Sequence, residues 1–345
     1  MTKNPRSPLL CYLTIAFLYF SLSNSCFGQR TIIRGYASVT GSYQRDSLNA
    51  SLGEQVLFIT SQINDRMSFL GESVFKFSPA SPTTFDVSIE RIIMKYNFYG
   101  NHSILAGKVH TPISFWNYTY HHGVVFTPTI DRPLFFAADI IPFHTTGAGL
   151  QAANLGPHKI GYDFFVGNGI GSTDLKDNDK RKSVTAAIRF RPILKVKEFT
   201  VALHYYNDAI AKGAKMHDGG INGYKTNQQV WTGSAVYFGE KYEAIVEGIT
   251  EKNHTDTTGT KHTNAAYVYA GMRIKDKLVP YLKLDGIHYQ KGQLLFPEGH
   301  NIFSFIAGVR YELNYLSVLK FEFEHVNTEV IKAFDKASLQ WSVGF

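Results

Sequence analysis

Cysteine and long apolar runs are scarce in this chain of 345 residues. Its only cysteines are Cys11 and Cys26, and both lie in an N-terminal stretch that we expect to be removed. The remaining chain can therefore form no disulfide, zinc–thiolate site or cysteine nucleophile. After residue 28 no run approaches the roughly 18 apolar residues of a membrane-spanning helix. A helical membrane protein and a disulfide-stabilised scaffold are thereby excluded.

Charge is also sparse and unpatterned. Charged residues make up 18% of the chain, and the formal net charge is +7 without a basic run or a recognition-helix pattern. We therefore expect no nucleic-acid partner. No nucleophile, base and orienting group occur in a catalytic arrangement, so we expect no catalytic residue, no enzymatic activity and no cofactor.

The N-terminus is typical of an exported protein. Lys3 and Arg6 precede an apolar run over residues 9–22, which indicates a secretory signal peptide over residues 1–28 and a single barrel domain over 29–345. A lipoprotein cleavage before Cys26 is the alternative. It is disfavoured because Ser23 stands where that signal normally has an aliphatic residue.

Alternating segments of about ten residues fill the rest of the chain. In residues 67–77, Phe69, Phe75 and Phe77 share one face, whereas Glu72 and Lys76 share the other. This is the pattern of a strand with lipid outside and a wet lumen inside. Aromatic residues reach 14%, which suits the aromatic girdles of such barrels. The sequence predicts an all-β, transmembrane antiparallel β-barrel.

About sixteen such segments can be counted, with fourteen or eighteen as alternatives. The connectors alternate between short ones, such as 64–65 and 239–240, and long ones, such as 167–182 and 207–227. Bacterial barrels have short periplasmic turns and long external loops. The predicted segments are 33–43, 55–63, 67–77, 85–99, 103–110, 145–153, 159–166, 184–191, 199–206, 229–238, 242–250, 265–274, 278–289, 302–311, 316–325 and 337–345.

One long stretch, residues 107–143, follows the fifth segment and has no regular period. It is rich in aromatic residues, proline and histidine. A segment of this length inside a compact fold is usually functional. We interpret it as a loop folded into the barrel, where it narrows the lumen.

The C-terminal segment alternates Leu339, Trp341, Val343 and Phe345 with small or polar residues. A final aromatic residue on such a strand resembles the signal that outer-membrane barrels present to the barrel-assembly machinery. We therefore expect the chain in the outer membrane of a Gram-negative cell. Its expected partners are this machinery, through Phe345, and outer-membrane lipid and lipopolysaccharide.

Residues 107–113, GKVHTPI, resemble a segment of the phosphate-selective porin O and P family. The resemblance implies a sixteen-stranded barrel, commonly a homotrimer, with an inward-folded loop at the constriction. Members with anion selectivity carry lysine or arginine clusters along the pore. Between Pro112 and Phe143, however, the only permanent cation is Arg132, which argues against phosphate selectivity.

The predicted function is passive diffusion of small hydrophilic solutes or ions through a loop-constricted porin. A barrel plugged by the same loop, with a surface-binding or structural role, is the alternative. The residues predicted at the constriction are Lys108, His110, Trp116, Tyr120, His121, Arg132, Arg189 and Arg191. Opposing charges on the lumen wall are predicted to set a transverse field with weak net selectivity, and pairing across neighbouring strands is the alternative. These charges are Lys108, Arg189, Arg191, Lys283, Arg310 and Lys320, against Glu72, Asp86, Glu90, Glu243, Glu247, Asp285, Glu322 and Glu324.

Two features of the loop allow sharper hypotheses. His110, His121, His122 and His144 could coordinate a metal, but no acidic or thiol partner has ligand spacing, and we expect no metal. Trp116, Tyr118 and Tyr120 alternate like a strip on which sugar rings could slide. Packing of the loop against the barrel wall is the plainer explanation.

Overall fold

The computed structural model describes residues 30–78, 85–171, 176–216 and 220–345. The predicted signal peptide, residues 1–28, lies outside the described residues. The described residues form two short helices, α1 (Phe115–Tyr120) and α2 (Leu134–Ala137). Their strands are β1 (Arg30–Gln44), β2 (Ser47–Leu52), β3 (Gln55–Gln62), β4 (Met67–Phe77), β5 (Phe85–Tyr99), β6 (His102–His110), β7 (His144–Leu155), β8 (Ile160–Gly167), β9 (Ser183–Phe190), β10 (Phe199–Ile210), β11 (Thr226–Phe238), β12 (Tyr242–Thr255), β13 (Gly259–Met272), β14 (Leu278–Tyr289), β15 (Ile302–Asn314), β16 (Ser317–Thr328) and β17 (Phe334–Gly344).

The strands close into one antiparallel barrel. From β3 onward each strand pairs with the next, and β17 pairs with β1 from Tyr36↔Gly344 to Gln44↔Lys336. β2 and β3 pair with successive halves of β1, so together they form one interrupted strand of the wall. The wall therefore has 16 strands, as the sequence predicted.

Side chains alternate across the wall. In β12, Glu243, Ile245, Glu247 and Ile249 are buried, whereas Val246 between them is exposed. Large apolar side chains are exposed on the other face of many strands, for example Leu203, Leu282 and Phe321. The barrel is thus apolar outside and lined inside by mixed polar and apolar groups, as a period of two requires.

No helix among the described residues is long and apolar enough to cross a membrane.

The chain end closes the barrel at a glycine. Gly35 and Phe345 exchange two backbone hydrogen bonds, with N···O distances of 2.9 and 3.0 Å. A Cβ atom on Gly35 would lie 2.2 Å from Phe345 Cζ. The terminal aromatic ring therefore occupies the space that a side chain at position 35 would need.

The sixteen predicted segments each fall on a strand of the wall, and most strands extend beyond the predicted ends. β5 contains a β-bulge: Glu72 pairs with Arg91 and Ser73 with Ile89, which leaves Glu90 as the extra residue. The long segment after β6 contains α1 and α2, so it is more regular than its sequence indicated.

Candidate functional site

The loop, residues 111–143, connects β6 to β7 and packs inside the barrel. Its two ends meet, since the backbone N–H of Thr111 donates to the carbonyl of Phe143 (2.9 Å). Ser114 begins α1 from a left-handed conformation (φ 62°), and its Oγ accepts a hydrogen bond from the N–H of Asn117 (3.0 Å). This N-cap satisfies one of the free amides at the start of the helix.

One side of the loop forms an apolar core with the wall. Trp116 lies edge-on to Tyr267 of β13 with ring centroids 6.0 Å apart, and Phe136 stacks on Phe143 at 4.5 Å. The buried residues of this core are Ile113, Trp116, Phe135, Phe136, Ile140, Ile141 and Phe143 from the loop, with Tyr206, Val230, Val236, Ile245, Ile249, Ala265, Tyr267, Tyr269, Tyr281, Ile287 and Ile306 from β10–β15. Hydrophobic burial therefore holds the loop to the β10–β15 wall.

Wall carboxylates accept hydrogen bonds from loop amides. Glu247 Oε1 accepts from Phe115 N (2.5 Å), and Asp285 Oδ2 accepts from Leu134 N (2.9 Å). Phe115 and Leu134 are the first residues of α1 and α2, where amides lack helical partners and negative charge is favourable. Glu322 Oε1 accepts from Ile130 N in the same way (2.7 Å). These three carboxylates are buried and anchor the loop.

Two lysines of the same wall are buried and paired, and one of them anchors the loop. Lys320 Nζ donates to Val124 O (2.8 Å), Thr127 Oγ1 (2.6 Å) and Thr129 O (3.2 Å). Lys283 Nζ lies 3.0 Å from Asp285 Oδ2.

Arg310 completes this set of neutralised charges, since it donates two hydrogen bonds to Glu243, of 2.7 and 2.9 Å. These charges of β12 and β14–β16 are buried, and they are paired with one another or with the loop. The transverse field that they would set for permeating ions stays a prediction.

Four histidines meet where the loop joins the wall. His110 ends β6, His121 and His122 follow α1, and His144 begins β7 directly opposite His110 in the register. Their possible ligand atoms all lie within 4.8 Å of one another. The rings are in contact, with centroids of His110 and His121 3.9 Å apart.

Carboxylates and an amide surround this histidine cluster. His121 Nδ1 lies 2.6 Å from Asn117 Oδ1, and His122 Nδ1 lies 2.6 Å from Glu54 Oε2. His144 Nε2 lies 2.6 Å from Glu90 Oε2. Sequence spacing gave no sign of these partners, because Glu54 and Glu90 lie far from the loop histidines along the chain.

Burial and neighbouring charges shift the pKa values of the two loop histidines in opposite directions. Burial, reinforced by the neighbouring histidines, lowers the pKa of His121 well below its ordinary value. Burial also acts to lower the pKa of His122, but its contacts with the Glu54 and Glu90 carboxylates outweigh this and raise it.

Glu54 joins the loop to the opposite side of the barrel. It lies in the gap between β2 and β3, and its carboxylate lies 3.1 Å from Arg132 and 2.9 Å from Lys76. Arg132 also lies over the Phe136 ring, 5.2 Å from the centroid. The predicted constriction residue Arg132 therefore crosses from the loop to the β2–β3 wall.

A cavity of about 680 Å³ remains between the loop and the β1–β8 wall. The residues that line it include Arg30, Gln62, Ser68, Leu70, Arg91, Ile93, Lys95, Leu105, His110, Pro112, Tyr118, Gln151, Asp163 and Phe165. Tyr118 is the residue of α1 that lines this cavity. The Arg189 guanidinium stacks on Tyr118 at 4.1 Å and donates to Asp163 Oδ2 at 2.5 Å, so Arg189 lies beside the cavity, in contact with the loop.

The remaining predicted constriction residues lie elsewhere. Trp116 and Tyr120 pack together with ring centroids 5.3 Å apart, on the apolar side of the loop. Lys108 is half-buried and pairs with Ile92 of β5. Arg191 lies past the end of β9, where its carbonyl accepts a hydrogen bond from His158. This is the rim opposite the one from which the loop leaves, so Arg191 does not line the constriction.

Comparison with known proteins identifies the fold. No protein-family model and no curated protein matches this chain. Among solved structures, it resembles the anion-selective porin from Comamonas acidovorans with a TM-score of 0.67 at 10% identity, over 92% of this chain and 100% of that one. It resembles Salmonella typhi OmpF in complex with daunomycin with a TM-score of 0.64 at 13% identity, over 92% and 98%.

A third structure, the trimer form of in-vitro folded OmpT of Vibrio cholerae, gives a TM-score of 0.61 at 11% identity, over 92% of this chain and 99% of that one. The chain therefore has the fold of the 16-stranded outer-membrane porins. The narrower resemblance to the phosphate-selective porin O and P family stays a prediction.

Proposed function

We propose that this chain is an outer-membrane porin through which small hydrophilic solutes and ions diffuse passively. The cavity between the loop and the β1–β8 wall carries this proposal. Its lining runs along the wall from Gln62, the last residue of β3, to His110, the last residue of β6. The loop binds to the β10–β15 wall, and so leaves this side of the lumen unfilled. Solute size would be limited by the space between Tyr118 and the wall.

The lining of the cavity favours anions. Arg30, Arg91 and Lys95 line it together with the carboxylate of Asp163. Asp163 is compensated by Arg189, and Arg91 contacts Glu72. Lys95 instead contacts a neutral amide, with its Nζ 3.4 Å from Gln151 Oε1. Because one lysine is not a paired phosphate clamp, we expect a modest anion preference without specific phosphate binding.

Single-channel recording of the purified, refolded protein in planar bilayers tests this function. Under a salt gradient we expect stable ohmic steps and a reversal potential that indicates anion preference. Lys95→Glu should shift the reversal potential toward cations. Lys241→Glu makes the same charge change in the exposed turn after β11 and should not. A folded barrel that gave no steps would overturn the proposal, and an unaltered reversal potential in Lys95→Glu would refute the assigned path.

The same proposal places the outer face of the barrel against outer-membrane lipid and lipopolysaccharide, with Phe345 presented to the assembly machinery. The exposed apolar side chains outside the wall support the lipid contact. A homotrimer is proposed from the resemblance to the trimer form of OmpT. Native mass spectrometry of detergent-extracted protein should show three copies, and a monomer alone would contradict this assembly.

A plugged barrel with a binding or structural role is the second candidate. The burial of Trp116, Phe135 and Phe136 in the loop core favours it, because these rings fill one side of the lumen. Phe126 differs from them, since it is half exposed and its ring lies edge-on to Tyr36 at 5.6 Å. If the wild-type barrel were silent, and removal of residues around Phe126 produced conductance, the plugged barrel would replace the porin.

A further inference from the structure

The histidine cluster draws its four side chains from three separate segments. His110 and His144 are paired across β6 and β7, whereas His121 and His122 come from the loop just after α1. One ring nitrogen of each lies within 4.8 Å of those of the other three. Four imidazoles in contact, with His121 and His122 buried and His110 and His144 half-buried, are unfavourable unless something offsets their polar nitrogens, because protonated rings repel one another and an unpaired buried nitrogen is costly.

Hydrogen bonding fixes the tautomer of His121. Asn117 Nδ2 donates to Thr111 O (2.8 Å) and to Phe143 O (3.2 Å), so its Oδ1 must face His121. An amide oxygen only accepts, and His121 Nδ1 must therefore carry the proton it donates. The lone pair of neutral His121 is thereby placed on Nε2. A hydrogen-bond acceptor outside the ligand shell that orients the ring in this way is typical of metal-binding histidines.

His122 has the same arrangement with a carboxylate. Its Nδ1 donates to Glu54 Oε2 (2.6 Å), because a carboxylate offers only acceptors. Its Nε2 has no hydrogen-bond partner although it is buried, and His110 Nε2 is in the same condition. Buried nitrogens of this kind are rare in proteins unless a ligand satisfies them. Two of the four rings thus present an unpartnered nitrogen.

Carboxylates lie next to the ring nitrogens of the cluster. Glu90 Oε2 lies 2.6 Å from His144 Nε2 and 3.6 Å from His122 Nε2, and Glu72 Oε2 lies 3.5 Å from His110 Nε2. Arg91, Arg132 and Lys76 offset the charge of Glu72 and Glu54. Glu90 is therefore the carboxylate placed to contact a bound cation.

We propose that His110, His121, His122 and His144 form a binding site for a divalent transition-metal ion, with Zn²⁺ as the occupant that this ligand set favours. Imidazole nitrogens suit Zn²⁺, Cu²⁺ and Ni²⁺ but not Mg²⁺ or Ca²⁺. The described residues contain no cysteine, so the ligands are nitrogens, with Glu90 as the adjacent oxygen donor. Tetrahedral zinc needs nitrogens about 3.4 Å apart, which small ring rotations can reach from the present spacing.

An ion at this site would fasten the loop to the wall. Its ligands would come from the end of β6, the start of β7 and the turn after α1, so one ion would join both ends of the loop to its middle. His110 also lines the cavity. The site therefore makes the position of the loop beside the lumen depend on bound metal, as a closed structural zinc site does.

The sequence argued against this site because no acidic or thiol partner of these histidines has ligand spacing. The structure supplies the missing proximity. Antiparallel pairing of β6 with β7 places His110 opposite His144, and Asn117 and Glu54 hold the other two rings. The proposal does not depend on whether the barrel conducts.

Metal titration of the folded protein in detergent tests the site. Chelator-treated protein is titrated with ZnCl₂ by calorimetry, and with Co²⁺ by visible absorption, where tetrahedral nitrogen ligation gives intense d–d bands. We expect one ion per chain, and a rise of several degrees in the temperature at which the barrel loses its compact electrophoretic mobility. Wild-type protein that binds neither ion would overturn the proposal.

Two variants locate the binding. The double variant His110→Gln with His144→Gln should weaken Zn²⁺ binding by at least about 10-fold and abolish the tetrahedral Co²⁺ bands. His300→Gln changes a histidine outside the cluster and should leave both unchanged. Should the double variant not fold, His121→Gln alone serves the same comparison. The assignment would be refuted if a cluster variant that keeps the compact electrophoretic mobility of the wild type bound Zn²⁺ as tightly as His300→Gln does.

Discussion

Lys320 of β16 donates a hydrogen bond from Nζ to Thr127 Oγ1 of the loop, at 2.6 Å. The lysine is buried and also contacts the carbonyls of Val124 and Thr129. A basic residue on the inner face of a barrel thus acts as an anchor for the loop. The charge that lines the lumen therefore has to be counted without the groups that make such contacts.

Lys320→Met should loosen the loop. Methionine keeps much of the buried length of lysine but leaves the carbonyls of Val124 and Thr129 without this donor, which costs about 1–3 kcal/mol. We expect noisier current in bilayers and a lower thermal transition. Lys277→Met, in the turn between β13 and β14, is the control and should behave like wild type. Identical noise and stability in both variants would show that Lys320 does not restrain the loop.

Glu247 should be needed for its acceptor oxygen more than for its charge. Its Oε1 accepts the hydrogen bond from Phe115 N at the start of α1. Glu247→Leu leaves that amide unsatisfied and should destabilise the loop by about 1–2 kcal/mol. Glu247→Gln retains an acceptor and should have a smaller effect. Thermal unfolding of both variants checks this order, and the reverse order would exclude the capping role.

Gly35→Ala should weaken barrel closure. The added Cβ would lie 2.2 Å from Phe345 Cζ and 2.8 Å from Val56 O, and such overpacking costs about 1–3 kcal/mol. Gly41 lies on the same strand, and a Cβ added there would meet no atom within 4 Å, so Gly41→Ala is the matched control. The temperature at which the compact electrophoretic form disappears should fall for Gly35→Ala only. An equal fall in the two variants would mean that the Phe345 contact is unimportant.

Trp116 and Tyr118 should differ although they are two residues apart. Trp116 is buried in the loop core, and Trp116→Ala should cost about 3–5 kcal/mol. Tyr118 lines the cavity and stacks with Arg189, so Tyr118→Ala should mainly raise conductance. Unfolding temperatures and single-channel currents of both variants test this. A sugar-sliding role for Trp116 would instead predict normal stability with altered sugar flux.

The wall could be predicted because its signal is local. Outward side chains face an apolar environment at every second residue, as in Phe69 and Phe75, and this period of two is visible without a fold. The position of the loop after the fifth strand followed from the same count. The role of Glu90 could not be predicted from this count. A bulge shifts the direction of side chains by one residue, and this bulge depends on the pairing of β5 with Glu72 and Ser73 of β4.

The sequence by itself determined the barrel, its strand order and the loop that enters it, because alternation and connector length are properties of neighbouring residues. Only the tertiary structure decided which luminal charges remain available and which histidines meet. Glu247 reaches the Phe115 amide from more than a hundred residues away, and His110 meets His144 across a 33-residue loop through the pairing of β6 with β7. Contacts of this kind depend on how the closed wall folds the loop against itself, which no local pattern records.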